Sequence, residues 1–256
     1  MPLTLTPLKG IPLVKQGDDL SAMILESLHF TSIDLQDGDV IVLAQKIVSK
    51  AEGRRRRLDS FTSSDEALSL GERTGKDPRL VQAILEESKK ILRTAPNTII
   101  AEHRNGFICA NAGIDHSNVK VDEGDAPDDW ILLLPEDSDR SASEIRANLE
   151  KASRKSIAVL IIDSHGRPWR LGTVGVTIGV SGMPALVDLR GKPDLFGRRL
   201  QITQVAAADE LAAGASLMMG QADEASPVVH VRGFPYALRE GGLDELIRPE
   251  TQDLFR

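Results

Sequence analysis

Six consecutive apolar residues, Ile157-Ala158-Val159-Leu160-Ile161-Ile162, run directly into Asp163-Ser164-His165-Gly166-Arg167-Pro168-Trp169-Arg170. A carboxylate and a hydroxyl at the end of a central strand are placed to hold a hard cation. Arg167 and Arg170 follow closely and can grip phosphate or carboxylate in a two-pronged fork. His165 has no His or Cys partner at zinc-ligand spacing and reads as a loop histidine. In Gly172–Gly182, four glycines either admit a ligand close to the backbone or mark bulges in a strand.

Three further segments could meet a ligand, two through polar side chains and one through its backbone. In Asn111-Ala112-Gly113-Ile114-Asp115-His116-Ser117-Asn118, Asp115 is a short oxygen ligand suited to Mg²⁺ or Mn²⁺, and Asn118 offers both donor and acceptor. The same string reads equally as an Asx-rich turn. Gln45-Lys46-Ile47-Val48-Ser49-Lys50-Ala51-Glu52-Gly53 brings two ammonium groups and a hydroxyl to the end of an apolar run. Such groups can meet phosphates, or simply face solvent. Gly10-Ile11-Pro12-Leu13 is a Gly/Pro turn, either a plain entry loop or a backbone rim for a base or phosphate. Asp209 and Glu210 are either solvated helix charges or acidic support for a divalent site.

The elements that must position these groups follow from periodicity. Strands are expected at Asp39–Ala44, Thr98–Glu102, Gly106–Ala110, Trp130–Leu134, Ile157–Ile162 and Val228–Val231. The second and third flank Arg104-Asn105 and could pair as a hairpin. Asp77 and Pro78 start a helix whose apolar series runs Leu80, Val81, Ile84, Leu85, Ile91, Leu92. Ser143–Ala152 and Ala206–Met219 read as two more helices. Strands and helices alternate without a strict βαβ rhythm, so the fold class is α+β. Neither a Walker sequence nor a Gly-x-Gly-x-x-Gly after a strand is present, so any nucleotide site is of an uncommon kind.

Composition narrows the partners. The net charge of -7 lacks the basic surplus of a nucleic-acid binder, and Arg54–Arg57 reads as a solvated loop. No apolar stretch approaches the ~20 residues of a membrane span, and the start Met1-Pro2-Leu3-Thr4 is unlike a signal peptide. The lone cysteine, Cys109, cannot form an internal disulfide and suits a reducing, cytoplasmic setting. Its apolar neighbours make it a buried thiol rather than a nucleophile.

In order and spacing, these segments resemble the coenzyme F420:L-glutamate ligase family, the gamma-glutamyl ligases acting on the F420 precursor. The matching pieces are Gly10–Leu13, Val48–Gly53, Asn111–Asn118 and Asp163–Arg167, then Asp194–Arg198, Asp209-Glu210, Met219–Gln221 and Val231–Gly233. The resemblance implies one ligase domain over 1–256, of α+β class and two lobes, in an intertwined homodimer. It implies GTP-driven formation of an acyl phosphate on the precursor, then attack by L-glutamate, giving an amide, GDP and phosphate, with a further γ-linked glutamate possible. Two divalent ions, Mg²⁺ or Mn²⁺, would assist, with K⁺ as a further candidate ion.

Residue by residue, the resemblance puts Gly10, Ile11, Pro12, Leu13, Gln45, Lys46, Lys50 and Asn118 against the nucleotide. It adds the loop Met219, Gly220, Gln221, Ala222, Asp223, Glu224, Ala225 and Ser226. Asp115 and Asp163 fall at the first metal position, Ser164 and Gln221 at the second. Ser164 keeps a hydroxyl where the family often has threonine, while an amide at Gln221 is a weaker ligand than a carboxylate. Some members carry a flavin-binding domain of nitroreductase type at the C-terminus; the expectation here is a ligase domain without it, the sequence running to Asp253-Leu254-Phe255-Arg256. Competing expectations are a metal-dependent nucleotide phosphohydrolase, a ligase for another carboxylate, and a catalytically silent GTP-binding subunit.

Overall fold

The computed structural model describes residues 2–119 and 129–254. Its centre is a five-stranded sheet whose strands, numbered in chain order through the whole chain, are β1 (Thr4–Pro7), β12 (Val228–Arg232), β2 (Val40–Ala44), β8 (Ala158–Arg167) and β9 (Arg170–Ser181), in that spatial order. β2 and β8 run parallel, from Val40 opposite Ala158 to Ala44 opposite Ile162. The other neighbours in this sheet are antiparallel.

Both faces of the sheet are covered, which is why its inner strands are apolar throughout instead of alternating. Ile41, Leu43, Val159 and Ile161 point to one side. There they meet α1 (Leu20–Phe30), α2 (Gln45–Ala51) and α5 (Ser138–Ser153). Val40, Val42, Ala158, Leu160 and Ile162 point to the other and meet α6 (Ala207–Met219). The alanines of α6 let it lie very close to β9. A Cβ added to Gly175 would stand 2.6 Å from the Ala212 carbonyl oxygen and 2.5 Å from Ser216 Cβ.

A second group of elements lies beside this sheet. α3 (Asp65–Thr74) and α4 (Pro78–Glu86) pack on the antiparallel sheet of β4 (Ser88–Ala95), β5 (Thr98–His103) and β6 (Ile108–Ala110). β3 (Arg55–Arg57) pairs with β7 (Trp130–Leu132), and β10 (Val187–Asp188) with β11 (Gln204–Val205). Among the described residues only β2 and β8 pair in parallel, so the α+β class stands.

Two expectations are corrected here. Ile91 and Leu92 do not continue a helix: α4 ends at Glu86 and these residues lie in β4. The break falls at Glu87, a buried carboxylate held by Arg54 and Arg104, and β5 then offers the next segment a strand partner. Nor is Arg54–Arg57 a solvated loop. Arg54 donates to Glu87 (2.8 Å) and to the Leu134 carbonyl (2.8 Å), and Arg55 lies over the Trp130 ring at 3.7 Å. Guanidinium groups tolerate such half-buried stacking well.

Asp39 fixes the entry to β2. Its side chain is buried and accepts from Arg232 Nε (2.9 Å) and Nη2 (2.8 Å) and from the Gln36 amide (2.8 Å). His230 Nε2 lies 2.9 Å from Oδ2, and the Asp39 carbonyl accepts from Ala158 N. Burial opposes ionisation here, but the hydrogen bonds from Arg232, His230 and Gln36 outweigh it and hold the carboxyl well below the usual carboxylate range. We expect Asp39→Asn to lower the unfolding free energy at neutral pH by about 3 kcal/mol. Because the folded-state value is depressed, this stabilisation is present above the unfolded value near ~3.9 and is lost as pH falls towards the folded one. Urea unfolding of both proteins at neutral pH and near pH ~3 should therefore show a gap that narrows in acid. A gap independent of pH would refute the charge argument.

Candidate functional site

Beyond Ala44 and Ile162 the two parallel strands part. β2 turns at once into α2, starting at Gln45, while β8 continues through Asp163 to Arg167 with β9 as its remaining partner. The gap is the mouth of a cavity of about 590 Å³. Segments remote in sequence line it: Ile11–Leu13, Gln45, Lys46 and Lys50, then Asp115 and Asn118, Asp163 and Ser164, and the whole loop Met219–Ser226.

Asp115 is placed by its backbone. Its amide and carbonyl pair with Leu132 at 3.0 and 2.9 Å. The preceding turn needs left-handed conformations at Asn111, Ala112 and Gly113, and a Cβ on Gly113 would strike Leu134 Cδ1 at 2.5 Å. Gln45 Nε2 donates to Asp115 Oδ2 (2.6 Å), and Ser49 Oγ orients that amide by donating to Gln45 Oε1 (2.8 Å). Lys46 Nζ lies 3.2 Å from Asp115 Oδ1 and donates to the carbonyl and hydroxyl of Ser117. Burial, and then the neighbouring Asp163 charge, push the Asp115 carboxyl up to about 6 despite these donors.

Asp163 faces this group from β8, and its Oδ2 lies 3.0 Å from His165 Nε2. Ser164 Oγ donates to Gln221 Oε1 (2.8 Å), and Gln221 Nε2 donates to Ser216 Oγ (3.0 Å). Asn118 Nδ2 reaches the Ala222 carbonyl at 3.3 Å, and Glu224 Oε2 accepts from the Ala222 amide at 2.8 Å. Burial, followed by the charges of Lys46 and Arg55, lowers the Lys50 ammonium below its ordinary value.

Two carboxylates, a hydroxyl and an amide oxygen form an all-oxygen donor set. Among the described residues, no three or more His, Cys, Asp or Glu side chains gather as a metal centre. A closed protein cage is thus absent from the described residues, whereas Mg²⁺ commonly takes one or two carboxylates and completes its shell with water and substrate phosphates. The residues present fit a Mg²⁺ or Mn²⁺ ion of that second kind, and the mutual repulsion of Asp115 and Asp163 is what such a cation would relieve.

The profile of the family described as F420-0:Gamma-glutamyl ligase matches residues 10–233. The chain belongs to that family. It is 50% identical to the coenzyme F420:L-glutamate ligase of Methanothermobacter thermautotrophicus, over the full length of both chains. It is also 44% identical to the protein of that name from Methanocaldococcus jannaschii (96% of this chain, 94% of the relative) and 42% identical to that from Archaeoglobus fulgidus (98% and 95%). The chain is an enzyme of the ligase class.

Within this member of the family, the sequence expectations fare unequally. All the proposed nucleotide and metal residues line the cavity except Gly10, whose positive φ shapes the turn before Ile11. His165 is not in a loop: it lies within β8, nearly buried, against Asp163. Asp209 and Glu210 do not line the cavity. Asp209 instead accepts from the Thr177 amide at 2.9 Å. Ser216 and Thr173 line the cavity unforeseen. Ser216 follows an alanine-rich stretch with nothing to mark it, and Thr173 stands among glycines that read as backbone features. Cys109 is buried as expected, and burial and then the Asp163 charge push its thiol upward, away from thiolate chemistry.

We expect Asp115→Asn and Asp163→Asn each to cut ligation by about 100-fold or more, the scale on which one preorganised electrostatic group is felt. Raising Mn²⁺ should recover part of the loss. Cys109→Ser should keep the rate, apart from a packing cost. Initial rates of the three variants against Mn²⁺ concentration check this; a folded but inactive Cys109→Ser would point to covalent catalysis.

Proposed function

We propose that this ligase joins L-glutamate to the F420 precursor, F420-0, at the cost of GTP. The observation that carries the reading is the convergence of Asp115 and Asp163 in one cavity with Lys46, Lys50 and the loop Met219–Ser226. Two opposed carboxylates beside two ammonium groups suit a polyphosphate held with divalent ions. Those ions, Mg²⁺ or Mn²⁺, would neutralise the phosphates and align the transfer.

The γ-phosphoryl group of GTP passes to an oxygen of the precursor's terminal carboxylate, and GDP departs. The amine of L-glutamate attacks the activated carbonyl carbon. The C–O bond to phosphate breaks, the nitrogen loses its proton, and an amide remains. A γ-linked glutamate can be added by the same route. In this reading Ile11–Leu13 and Met219–Ser226 border the nucleotide, and Lys46 and Lys50 approach its phosphates as point charges. Asn118 ties the base of that loop to the Asp115 segment through Ala222.

The unit is a single two-lobed domain that works as a homodimer. Large apolar side chains are exposed at the β8–β9 turn (Trp169, Leu171) and between β10 and β11 (Leu195, Phe196, Ile202), and such surfaces commonly mark association faces. Light scattering at micromolar concentration should give twice the mass of the chain, and a stable monomer would refute this part.

Mass spectrometry of F420-0, GTP, Mn²⁺ and L-glutamate incubated with the protein should show a product heavier by one glutamyl unit, with GDP released only when glutamate is present. GDP release indifferent to glutamate would favour a phosphohydrolase. GTP should support faster turnover than ATP, and equal rates would contradict base selection.

A further inference from the structure

Behind Asp163 three aromatic rings stand in a row. The His165 and Phe107 ring centroids lie 5.5 Å apart at 40°, and His103 stacks on Phe107 at 5.0 Å with the rings only 7° from parallel. The far end of the row is immobilised. His103 is fully buried at the end of β5, its Nδ1 accepts from the Asn105 amide (3.1 Å), and its amide donates to the Phe107 carbonyl (2.9 Å). Among the described residues its Nε2 makes no hydrogen bond, and it lies 3.7 Å from Glu87, a carboxylate already engaged by Arg54 and Arg104. Burial outweighs that carboxylate and lowers the His103 value, so the ring is neutral and packs as an aromatic plate.

The near end of the row meets the site. Asp163 Oδ2 is in contact with His165 Nε2, and Oδ1 accepts no hydrogen bond from the described residues. An aspartate rotates broadly about its terminal torsion, and Asp115 repels this one. Without a fixed donor the Asp163 carboxylate would turn away from Asp115 and from any shared ion.

We propose that His165 and Phe107 are positioning residues for the metal site: Phe107, pinned by His103, sets the imidazole so that Nε2 fixes Asp163 Oδ2 and leaves Oδ1 for a divalent cation. The proposal rests on the reading of Asp163 as a metal ligand. It gives a task to His165, which the fold keeps nearly buried inside a strand. It also explains an aromatic ring at Phe107, placed between two histidines on different strands.

The test is Mn²⁺ binding to the full chain without nucleotide, followed by the electron paramagnetic resonance signal of free Mn²⁺, with thermal melts of every variant. His165→Ala should weaken binding about 10- to 100-fold, the usual penalty for losing an outer-sphere partner. His165→Gln, which can place an amide N–H near the Nε2 position, should recover most of the affinity. Phe107→Leu keeps apolar bulk without a flat ring and should weaken binding several-fold with a melt close to that of the wild type. Wild-type affinity in His165→Ala or Phe107→Leu, while Asp163→Asn binds poorly, would overturn the positioning role and leave the metal reading intact. So would tighter binding in His165→Ala, or a well-folded His165→Gln as weak as the alanine variant. If Asp163→Asn binds Mn²⁺ no worse than wild type, the metal reading itself fails and the proposal falls with it.

Discussion

The parallel contact between β2 and β8 stops after Ala44 and Ile162, and the rest of the site depends on that stop. Up to this point both strands are buried on both faces and cannot carry polar groups without losing hydrophobic contact. One residue later each chain is released from its partner. Gln45 begins a helix, and Asp163 keeps β9 as its strand partner among the described residues. The first polar residues of two apolar runs therefore face each other across a gap at the carboxyl ends of parallel strands. Open sheets with parallel strands place ligands in such crevices for the same reason.

What fills the gap is electrostatically expensive. Asp115 is buried beside Asp163, and burial and then the Asp163 charge disfavour its ionisation. The chain accepts this by supplying donors on separate elements: Gln45 and Lys46 from α2 for Asp115, and His165 from β8 for Asp163. Ser49 then orients Gln45 from one turn further along α2. These contacts reduce the repulsion but do not remove it, since the Asp115 carboxyl still sits well above its ordinary range. A pair of carboxylates left repulsive in this way favours a cation between them, which is the property the proposed metal site rests on.

Much of this was legible in the sequence because burial and motif coincide there. Ile157–Ile162 and Asp39–Ala44 read as buried strands, and their ends pointed to Asp163 and Gln45. Ordered motifs then supplied the loop Met219–Ser226, which no periodicity marks. Where reading failed, the missing information was a partner far along the chain. Ile91 and Leu92 keep helical spacing with Ile84 and Leu85 only on paper, because β5 claims them. Arg54 and Arg55 look solvated until Glu87 and Trp130 are placed beside them. Asp209 looks like a site acid until the Thr177 amide takes it. His165 looks like a loop residue because β9, which extends β8 past Ile162, starts only after the turn at Pro168-Trp169.

Packing and chemistry meet most closely where α6 crosses β9. Gly175 allows the helix to approach until Ser216 and Ala212 lie against the strand backbone. That approach sets the height of Ser216, whose hydroxyl accepts from Gln221, and so aims the Gln221 oxygen at Ser164 on β8. A side chain at Gly175 would have to push α6 outward, and the displacement would pass straight to Gln221 and to the loop through Ser226. Close packing of a small residue, usually a matter of stability, is here the means by which the C-terminal half of the chain brings an amide oxygen to a strand laid down 57 residues earlier.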